Sequence, residues 1–246
     1  MQDIPKKLCV VGIGPGAIDK MTIEAHRALR ESTVIVGYKT YIDCVREHFP
    51  DKEYVASGMM KETERCREAL RRANDHAIVS IISSGDPGLY GMASLIYELS
   101  GEYPEVEITV ISGVTAALSG AAILGSPLTN DTAIISLSDR LTPWEKIEKR
   151  LICAAEGDFS IVIYNPASKG RPDHIRRAAD ILLTKLPGDR ICGLARQTGR
   201  EGQSVTVCTL RELRDMPVDM LTTVFIGCSD TALKDGKMVT RRGYNI

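Results

Sequence analysis

The alternation of short apolar runs with amphipathic segments constrains the fold of this chain more than any other feature. Apolar runs of strand length occupy residues 8–14, 33–37, 77–83, 106–112, 132–138, 159–165, 190–195 and 221–227. Segments with helical spacing of apolar residues separate most of these runs, as in TIEAHRALRE and PDHIRRAADILLTKL. Because such alternation is typical of sheets covered by helices, we predict an α/β protein.

The length of 246 residues is sufficient for two α/β domains, each with its own core. A small-residue segment, GVTAALSGAAILG, follows the fourth apolar run and precedes the second set of strands. We therefore predict one domain over 1–113 and another over 114–246, both with mixed sheets, and a ligand cleft between them. The run VTVCTL predicts a further hairpin or edge strand near the end of the chain.

Composition argues against several classes of partner. The formal net charge of -1 gives no basic footprint for nucleic acid, and no apolar run is long enough to cross a bilayer. The first residues lack the pattern of a signal peptide, so we expect a cytoplasmic protein. The seven cysteines contain no C-x-x-C pair and the four histidines are scattered, which favours reduced thiols and no protein-bound metal.

A glycine loop, VVGIGPG, follows the first apolar run. Its G-x-G-x-G spacing, with Pro15 inside, differs from the G-x-G-x-x-G pattern of dinucleotide-binding proteins. The next helix is predicted to begin only at Thr22, a good N-cap residue. The second strand also ends without the carboxylate that binds a nicotinamide ribose, so a dinucleotide-linked oxidoreductase is disfavoured.

Two further loops follow apolar runs, SSGDPGLYG at 83–91 and SGVTAA at 112–117. Asp86 is either a helix cap or a ligand contact, and Thr115 offers the same two roles. All three loops lie at strand ends, where open α/β sheets assemble binding sites. Chemistry alone leaves both roles open.

The order VGIGPG, GDPGLYG and GVTAA resembles that of the tetrapyrrole methylase family, and the likeness covers almost the whole chain. The more particular motifs resemble the C-17 methyltransferases that act on precorrin-3B in cobalamin synthesis. Arg140 and Ser112 depart from the pattern, standing where an apolar residue and a proline are expected. The particular motifs are VGYKTY (36–41), SLSDRLTPW (136–144), YNPASKGR (164–171), TGREGQ (198–203) and TRRGY (240–244).

The resemblance implies S-adenosylmethionine as cosubstrate, and a homodimer. The implied reaction is methylation of precorrin-3B, or its cobalt-containing counterpart, at ring carbon 17 with ring contraction. The implied cofactor-binding residues are Gly14, Pro15, Gly16, Ser84, Gly85, Asp86, Leu89, Thr115, Ala116, Tyr164, Asn165, Ala195 and Thr222.

Proton transfer and substrate binding need other side chains. Tyr38 and Lys39, at the end of the second strand, are the predicted catalytic residues, and a supporting role in the fold is the alternative. Ser138 and Asp139 are predicted to face the substrate, although Asp139 equally suits a cap of the following helix.

A substrate with many carboxylates favours basic anchors. Lys169 and Arg171 are the predicted substrate-binding cations, with Arg140, Arg196 and Arg200 as further candidates. The segment KETERCREALRRAN is interpreted as a solvated helix face on which Glu68 pairs with Arg72.

Two alternatives remain besides the disfavoured dinucleotide-linked oxidoreductase. Another enzyme of the same fold, such as a different precorrin methyltransferase, an rRNA ribose methylase or diphthine synthase, is the nearest. A non-catalytic ligand-binding module comes from a different class, and a methyl-transfer assay distinguishes it. The near-zero net charge weakens the RNA version of the first alternative.

Overall fold

The computed structural model describes residues 6–75 and 78–244. Their contacts divide the chain into two compact units, Met1–Ala116 and Ala117–Ile246. Each unit has a five-stranded sheet and its own apolar clusters. The predicted α/β class is confirmed.

The first unit has a parallel sheet in the order β3-β2-β4-β1-β5. Its strands are β1 (Lys7–Gly12), β2 (Val34–Tyr38), β3 (Glu53–Ser57), β4 (Ile78–Ser83) and β5 (Glu107–Ile111). Its helices are α1 (Ile23–Glu31), α2 (Lys39–Val45), α3 (Glu62–Asn74) and α4 (Ala93–Leu99). The Thr22 side chain accepts a hydrogen bond from the Ala25 N–H, as predicted for the cap of α1.

Strand β1 shows why the apolar runs are continuous rather than alternating. Leu8 and Val10 belong to the cluster that contains residues of α3 and α4, whereas Cys9 and Val11 belong to the cluster of α1 and α2. Both faces of the strand are therefore buried under helices, which is the usual environment of a parallel sheet.

The second unit has a mixed sheet in the order β10-β9-β11-β8-β7. Strands β7 and β8 are parallel, whereas β11 and β10 run antiparallel to their neighbours. A three-stranded sheet, β12-β13-β6, accompanies it. The elements are α5 (Ala116–Leu124), β6 (Gly125–Ser126), β7 (Thr132–Ser136), α6 (Trp144–Glu156), β8 (Ser160–Tyr164), α7 (His174–Leu183), β9 (Ile191–Arg196), β10 (Ser204–Thr209), α8 (Leu210–Leu213), β11 (Thr222–Ile226), β12 (Thr231–Lys234) and β13 (Lys237–Thr240).

Helix α5 carries small residues because it packs very closely on this sheet. A Cβ at Gly120 would lie 2.8 Å from Cζ of Phe225 and 3.1 Å from Cβ of Ala195. Ala117 and Ala121 are buried in the same cluster as Phe225. Larger side chains would push the helix away from the sheet.

Four strands were missing from the sequence prediction: β3, β6, β12 and β13. Strand β3 lies at a sheet edge and is only half buried, so it has no apolar run. The β12–β13 hairpin turns at Asp235 and Gly236, whose φ angles are 50° and 74°. An Asp-Gly pair between short strands is a hairpin signal that was available in the sequence. The predicted edge strand at VTVCTL is confirmed as β10.

Helix α3 is solvated over only part of its surface. Glu68 accepts a hydrogen bond from Arg72 at 2.8 Å, as predicted. Arg65, however, is only 6% exposed. The interpretation of this segment as a solvated face is therefore wrong at Arg65.

Candidate functional site

Glycines from three neighbouring strand ends of the first unit meet in a cluster that we call the glycine junction: Gly12, Gly14, Gly85 and Gly113. Gly14 and Gly85 exchange two main-chain hydrogen bonds, at 3.1 Å and 2.7 Å. The junction follows β1, β4 and β5, which are adjacent in the sheet and parallel. It therefore lies at the carboxyl edge of the sheet, where such folds bind ligands.

Side chains larger than hydrogen do not fit at Gly12 or Gly113 of this junction. A Cβ at Gly113 would lie 2.1 Å from the Gly85 carbonyl oxygen, and one at Gly12 would lie 2.6 Å from the same atom. Gly14 and Gly85 also have φ angles of +73° and +68°, in the left-handed region that favours glycine. This packing between loops explains the first two glycines of the G-x-G-x-G spacing, Gly12 and Gly14.

Asp86 connects the second loop to the third. Its Oδ1 accepts a hydrogen bond from the Gly88 N–H at 2.8 Å, and its Oδ2 accepts one from the Gly113 N–H at 3.0 Å. Helix α4 has Met92 at its N-cap position without a side-chain hydrogen bond. The capping alternative is therefore wrong for Asp86, and its contact with a cofactor stays a prediction.

The other predicted cofactor contacts of the first unit lie in the same three loops. Pro15 is buried, whereas Gly16, Ser84, Leu89, Thr115 and Ala116 are half-buried. The buried Oγ of Ser83 has no hydrogen-bond partner among the described residues. Main-chain groups that lie close together, and a buried hydroxyl without a hydrogen-bond partner, fit a polar ligand without phosphate, such as S-adenosylmethionine.

Tyr38 and Lys39 lie at the carboxyl end of β2, on the flank of the glycine junction. The Tyr38 ring packs edge-on against Tyr41, with ring centroids 5.3 Å apart. The Cζ atom of Arg65 lies 6.0 Å from the Tyr38 ring centroid, and Lys39 is exposed. A catalytic role of either residue stays a prediction.

In the second unit, a polar cluster joins the loops after β7 and β8 to the start of α7. We call it the Asp139 network: Ser138, Asp139, Ser168, Arg171 and His174. Arg171 donates hydrogen bonds to Oγ of Ser138 at 2.8 Å and to Oγ of Ser168 at 3.1 Å. The Asp139 carboxylate lies 3.6 Å from Nη1 of Arg171 and 3.1 Å from Nε2 of His174.

These contacts determine the charge of Asp139. Burial alone would raise the pKa of this carboxyl, but His174 and then Arg171 outweigh it and hold the pKa below its usual value. Helix α6 has Pro143 at its N-cap position, without a side-chain hydrogen bond. The capping alternative is therefore wrong for Asp139, which is a partner of Arg171 and His174.

Local hydrogen bonds also engage the residues that end β8. Nδ2 of Asn165 donates to Oγ of Ser136 at 2.9 Å, and Asn165 has a φ angle of +54°. The Tyr164 hydroxyl accepts a hydrogen bond from the Ala117 N–H at 2.7 Å. Tyr164 and Asn165 therefore have roles in local structure, and their contacts with a cofactor stay predictions.

Thr222 and Ala195 lie at the same edge of the second sheet, where β9 ends and β11 begins. Thr222 is 4% exposed and donates to Oδ1 of Asp219 at 2.8 Å. Arg196 donates to Oδ2 of Asp219 at 2.8 Å, so the Asp219 carboxylate holds both Thr222 and Arg196. Burial would raise the pKa of Asp219, but its hydrogen bonds with Thr222 and Arg196 lower it.

Sequence reasoning missed Asp219, His174 and Trp144 as members of this edge. The Trp144 ring packs edge-on against His174, with centroids 4.9 Å apart, and the Arg177 guanidinium lies 3.9 Å from the Trp144 centroid. The position of Trp144 inside the TPW motif was a usable signal. Of the predicted basic anchors, Lys169 and Arg140 are exposed, whereas Arg171 is largely buried.

Within 6–75 and 78–244, no group of three or more His, Cys, Asp or Glu side chains is arranged to hold a metal ion. No helix of the described chain has the length and apolar character needed to span a membrane.

The fold defines an α/β protein of two units, in each of which the predicted site residues lie in loops or at strand ends along one edge of the sheet. The family model for tetrapyrrole (corrin/porphyrin) methylases matches residues 7–214. The chain belongs to this family, as the resemblance of its motifs implied.

Relatives of nearly full length share more than a third of the sequence. A probable cobalt-factor III C(17)-methyltransferase from Salmonella typhimurium is 44% identical over 97% of this chain and 100% of its own length. A precorrin-3B C(17)-methyltransferase from Sinorhizobium sp is 39% identical over 94% of this chain and 92% of its own. The crystal structure of the methyltransferase CobJ, 37% identical, has a TM-score of 0.87 and covers 95% of this chain and 99% of that one.

A more distant structure shares the fold alone. Uroporphyrin-III C-methyl transferase from Thermus thermophilus, solved with S-adenosyl homocysteine, is 20% identical with a TM-score of 0.69, over 90% of this chain and 92% of that one.

Proposed function

We propose that the chain is an S-adenosylmethionine-dependent methyltransferase that methylates cobalt-factor III or precorrin-3B at ring carbon 17, with ring contraction, in cobalamin synthesis. The full-length similarity to relatives of that activity carries the proposal, because it spans both units. The glycine junction supports it, since the family motifs VGIGPG, GDPGLYG and GVTAA meet there.

The protein's main task in such a reaction is placement. S-adenosylmethionine supplies a methyl group that is already activated by its sulfonium. Holding this methyl in line with an electron-rich ring carbon, at about 3–3.5 Å, lowers the barrier by several kcal/mol. Main-chain groups of the glycine junction, fixed by Asp86, provide a rigid surface for the donor.

Proton transfer and substrate binding involve the remaining predicted residues. Tyr38 or Lys39 exchanges protons during ring contraction, for which their position beside the junction is suitable. Arg171, with Lys169, binds a carboxylate of the macrocycle, and Ser138 and Asp139 hold the Arg171 guanidinium in one orientation. No protein-bound metal is required, because cobalt arrives with the substrate.

The decisive experiment is anaerobic incubation of the purified protein and S-adenosylmethionine with cobalt-factor III and, separately, with precorrin-3B. We expect one of the two to gain the mass of one methyl group and to change its absorption spectrum to that of a contracted ring. No mass change with either tetrapyrrole would reject the proposal. Diphthine synthase substrate serves as the control, since an enzyme of that activity has the same fold at 21% identity.

We further propose a homodimer in the cytoplasm. Size-exclusion chromatography with light scattering measures the first property, and a monomer at micromolar concentration would contradict it. Fractionation of the producing cells measures the second.

A further inference from the structure

Arg65 is a buried cation without an anion. Only 6% of the residue is exposed. No carboxylate of the described chain lies within ion-pair distance of its guanidinium. A buried charge without a counter-charge is costly, so such a residue calls for an explanation in function.

The contacts of Arg65 are all with neutral groups. Nε donates to Oγ of Ser57 at 2.7 Å, and Nη2 donates to the Gly58 carbonyl at 2.8 Å. Among residues 6–75 and 78–244, Nη1 has only the thioether sulfur of Met92, at 3.9 Å. A guanidinium has five N–H donors, and a sulfur is a weak acceptor. The Nη1 end therefore retains capacity for an anionic acceptor.

The surroundings favour a large, flat, partly apolar ligand. The guanidinium lies 6.0 Å from the Tyr38 ring centroid. The turn that begins at Gly58 exposes Met59 and Met60, by 52% and 65%. Exposed methionines are unbranched and polarisable, so they adapt to the face of an apolar ligand. A carboxylate on an apolar body matches this combination of groups.

The place of Arg65 in the sheet fits a ligand held at the glycine junction. Tyr38 ends β2 and Ser57 ends β3, and these strands lie two and three positions from β1. At about 4.8 Å between strands, Arg65 is about 10–14 Å along the edge from the loop after β1. A macrocycle whose reacting carbon meets the methyl donor extends its peripheral carboxylates over such a distance.

We propose that Arg65, with Tyr38 and the exposed Met59 and Met60, forms a carboxylate-binding subsite, and that the carboxylate belongs to the tetrapyrrole. The inference rests on the proposed function. The carboxylate of the methionine moiety of S-adenosylmethionine is the other source of the same chemistry. The experiment below distinguishes the two.

The test compares Arg65→Gln with Arg67→Gln. Arg67 lies on the same helix, is about half exposed and pairs with Glu102, so it is the matched control. We expect Arg65→Gln to raise KM by about 10- to 100-fold for whichever of cobalt-factor III and precorrin-3B the wild-type protein methylates, because the variant loses a hydrogen bond between charged groups. The Kd for S-adenosylhomocysteine, measured by calorimetry, should not change, and Arg67→Gln should change neither constant.

Other outcomes have defined meanings. If only the Kd for S-adenosylhomocysteine rises, the subsite stands but the tetrapyrrole is not its ligand. If Arg65→Gln and Arg67→Gln behave alike in both measurements, the subsite is overturned. Absence of turnover of both cobalt-factor III and precorrin-3B by the wild-type protein would instead overturn the proposed function, which the assay measures first.

Two further measurements test the proposal even if the Arg65→Gln variant fails to fold. Arg65→Lys keeps the charge but loses the planar fork, so it should raise KM less than Arg65→Gln, with kcat nearly unchanged. In a crystal of the wild-type protein with cobalt-factor III, a ring carboxylate should lie within ~3.5 Å of a guanidinium nitrogen of Arg65. A complex with no carboxylate there would refute the assignment.

Discussion

The two loop edges of this protein are the glycine junction of the first unit and the Asp139 network of the second, and different chemical groups hold their loops together. At the glycine junction of the first unit, main-chain groups of neighbouring loops are in direct contact and side chains are excluded. In the second unit, the Asp139 network connects the loops through side chains, with a serine on either side of Arg171. One edge depends on the absence of side chains, and the other on their identity.

This difference explains which features of the sequence are informative. A junction formed by main-chain groups is visible in the sequence as glycines at fixed positions, because only glycine lets the main chains of two loops approach closely. A network formed by side chains is visible in the sequence only as Ser, Asp, Arg and His. These residue types also occur on protein surfaces for other reasons, so they do not mark the network. We therefore expect the first edge to be sensitive to added atoms and the second to removed charges.

The largest effect is expected from Gly113→Ala. The added Cβ would lie 2.1 Å from the Gly85 carbonyl oxygen, and that backbone cannot move without separating the loops. We expect the free energy of unfolding to fall by about 3 kcal/mol and binding of S-adenosylhomocysteine to be lost. Urea unfolding and calorimetry measure the two quantities.

Gly101→Ala is the control, since a Cβ at Gly101 meets nothing within 4 Å. It should leave stability and binding within error of the wild-type values. Equal behaviour of the two variants would show that the loops of the first unit are not held together by close main-chain packing.

A smaller effect is expected from Asp139→Asn, which keeps the shape of the side chain but removes its charge. The loss of the contacts with Arg171 and His174 should destabilise the protein by about 1–2 kcal/mol, reduced because Asp139 is 32% exposed. Asp180→Asn, in an exposed pair with Arg214, is the control and should cost less than about 0.5 kcal/mol. Equal costs for the two variants would mean that the network contributes no more than a surface ion pair.

The pH dependence of stability sharpens the same test. Because the pKa of Asp139 is lowered in the folded protein, its contribution is fully present above the unfolded pKa of about 4 and is lost as pH falls through the folded value. The difference in unfolding free energy between wild-type protein and Asp139→Asn should therefore shrink as the pH falls below ~4. A difference that grows on acidification would contradict the direction of the shift.

Much of the fold was predictable because buried parallel strands leave continuous apolar runs. Each of the eight predicted runs overlaps a strand, whereas the half-buried strand β3 has no such run and was missed. The glycine junction was predictable as a set of loops, since the carboxyl ends of parallel strands share one edge. The contacts within it were not, because they join residues far apart in the sequence.

The charged residues mark the limit of prediction from sequence. Asp86 and Asp139 each suited a helix cap or a ligand contact, and the structure gives both a third role, as bridges between loops. Arg65 lies among exposed charged residues of α3, and nothing in its neighbours distinguishes it. Burial of one charge on an amphipathic helix depends on tertiary contacts, here with the turn after β3.

The smallest effect is expected from Tyr164→Phe, which removes one side-chain hydrogen bond to the main chain. The hydroxyl accepts from the Ala117 N–H in the first turn of α5, so the variant leaves that group without this acceptor. We expect a loss of about 1 kcal/mol in the free energy of unfolding. Tyr97→Phe, at a ring that is 55% exposed, should have no effect. If Tyr164→Phe were as damaging as Gly113→Ala, the second unit would also depend on a main-chain junction, and the contrast between the two edges would fail.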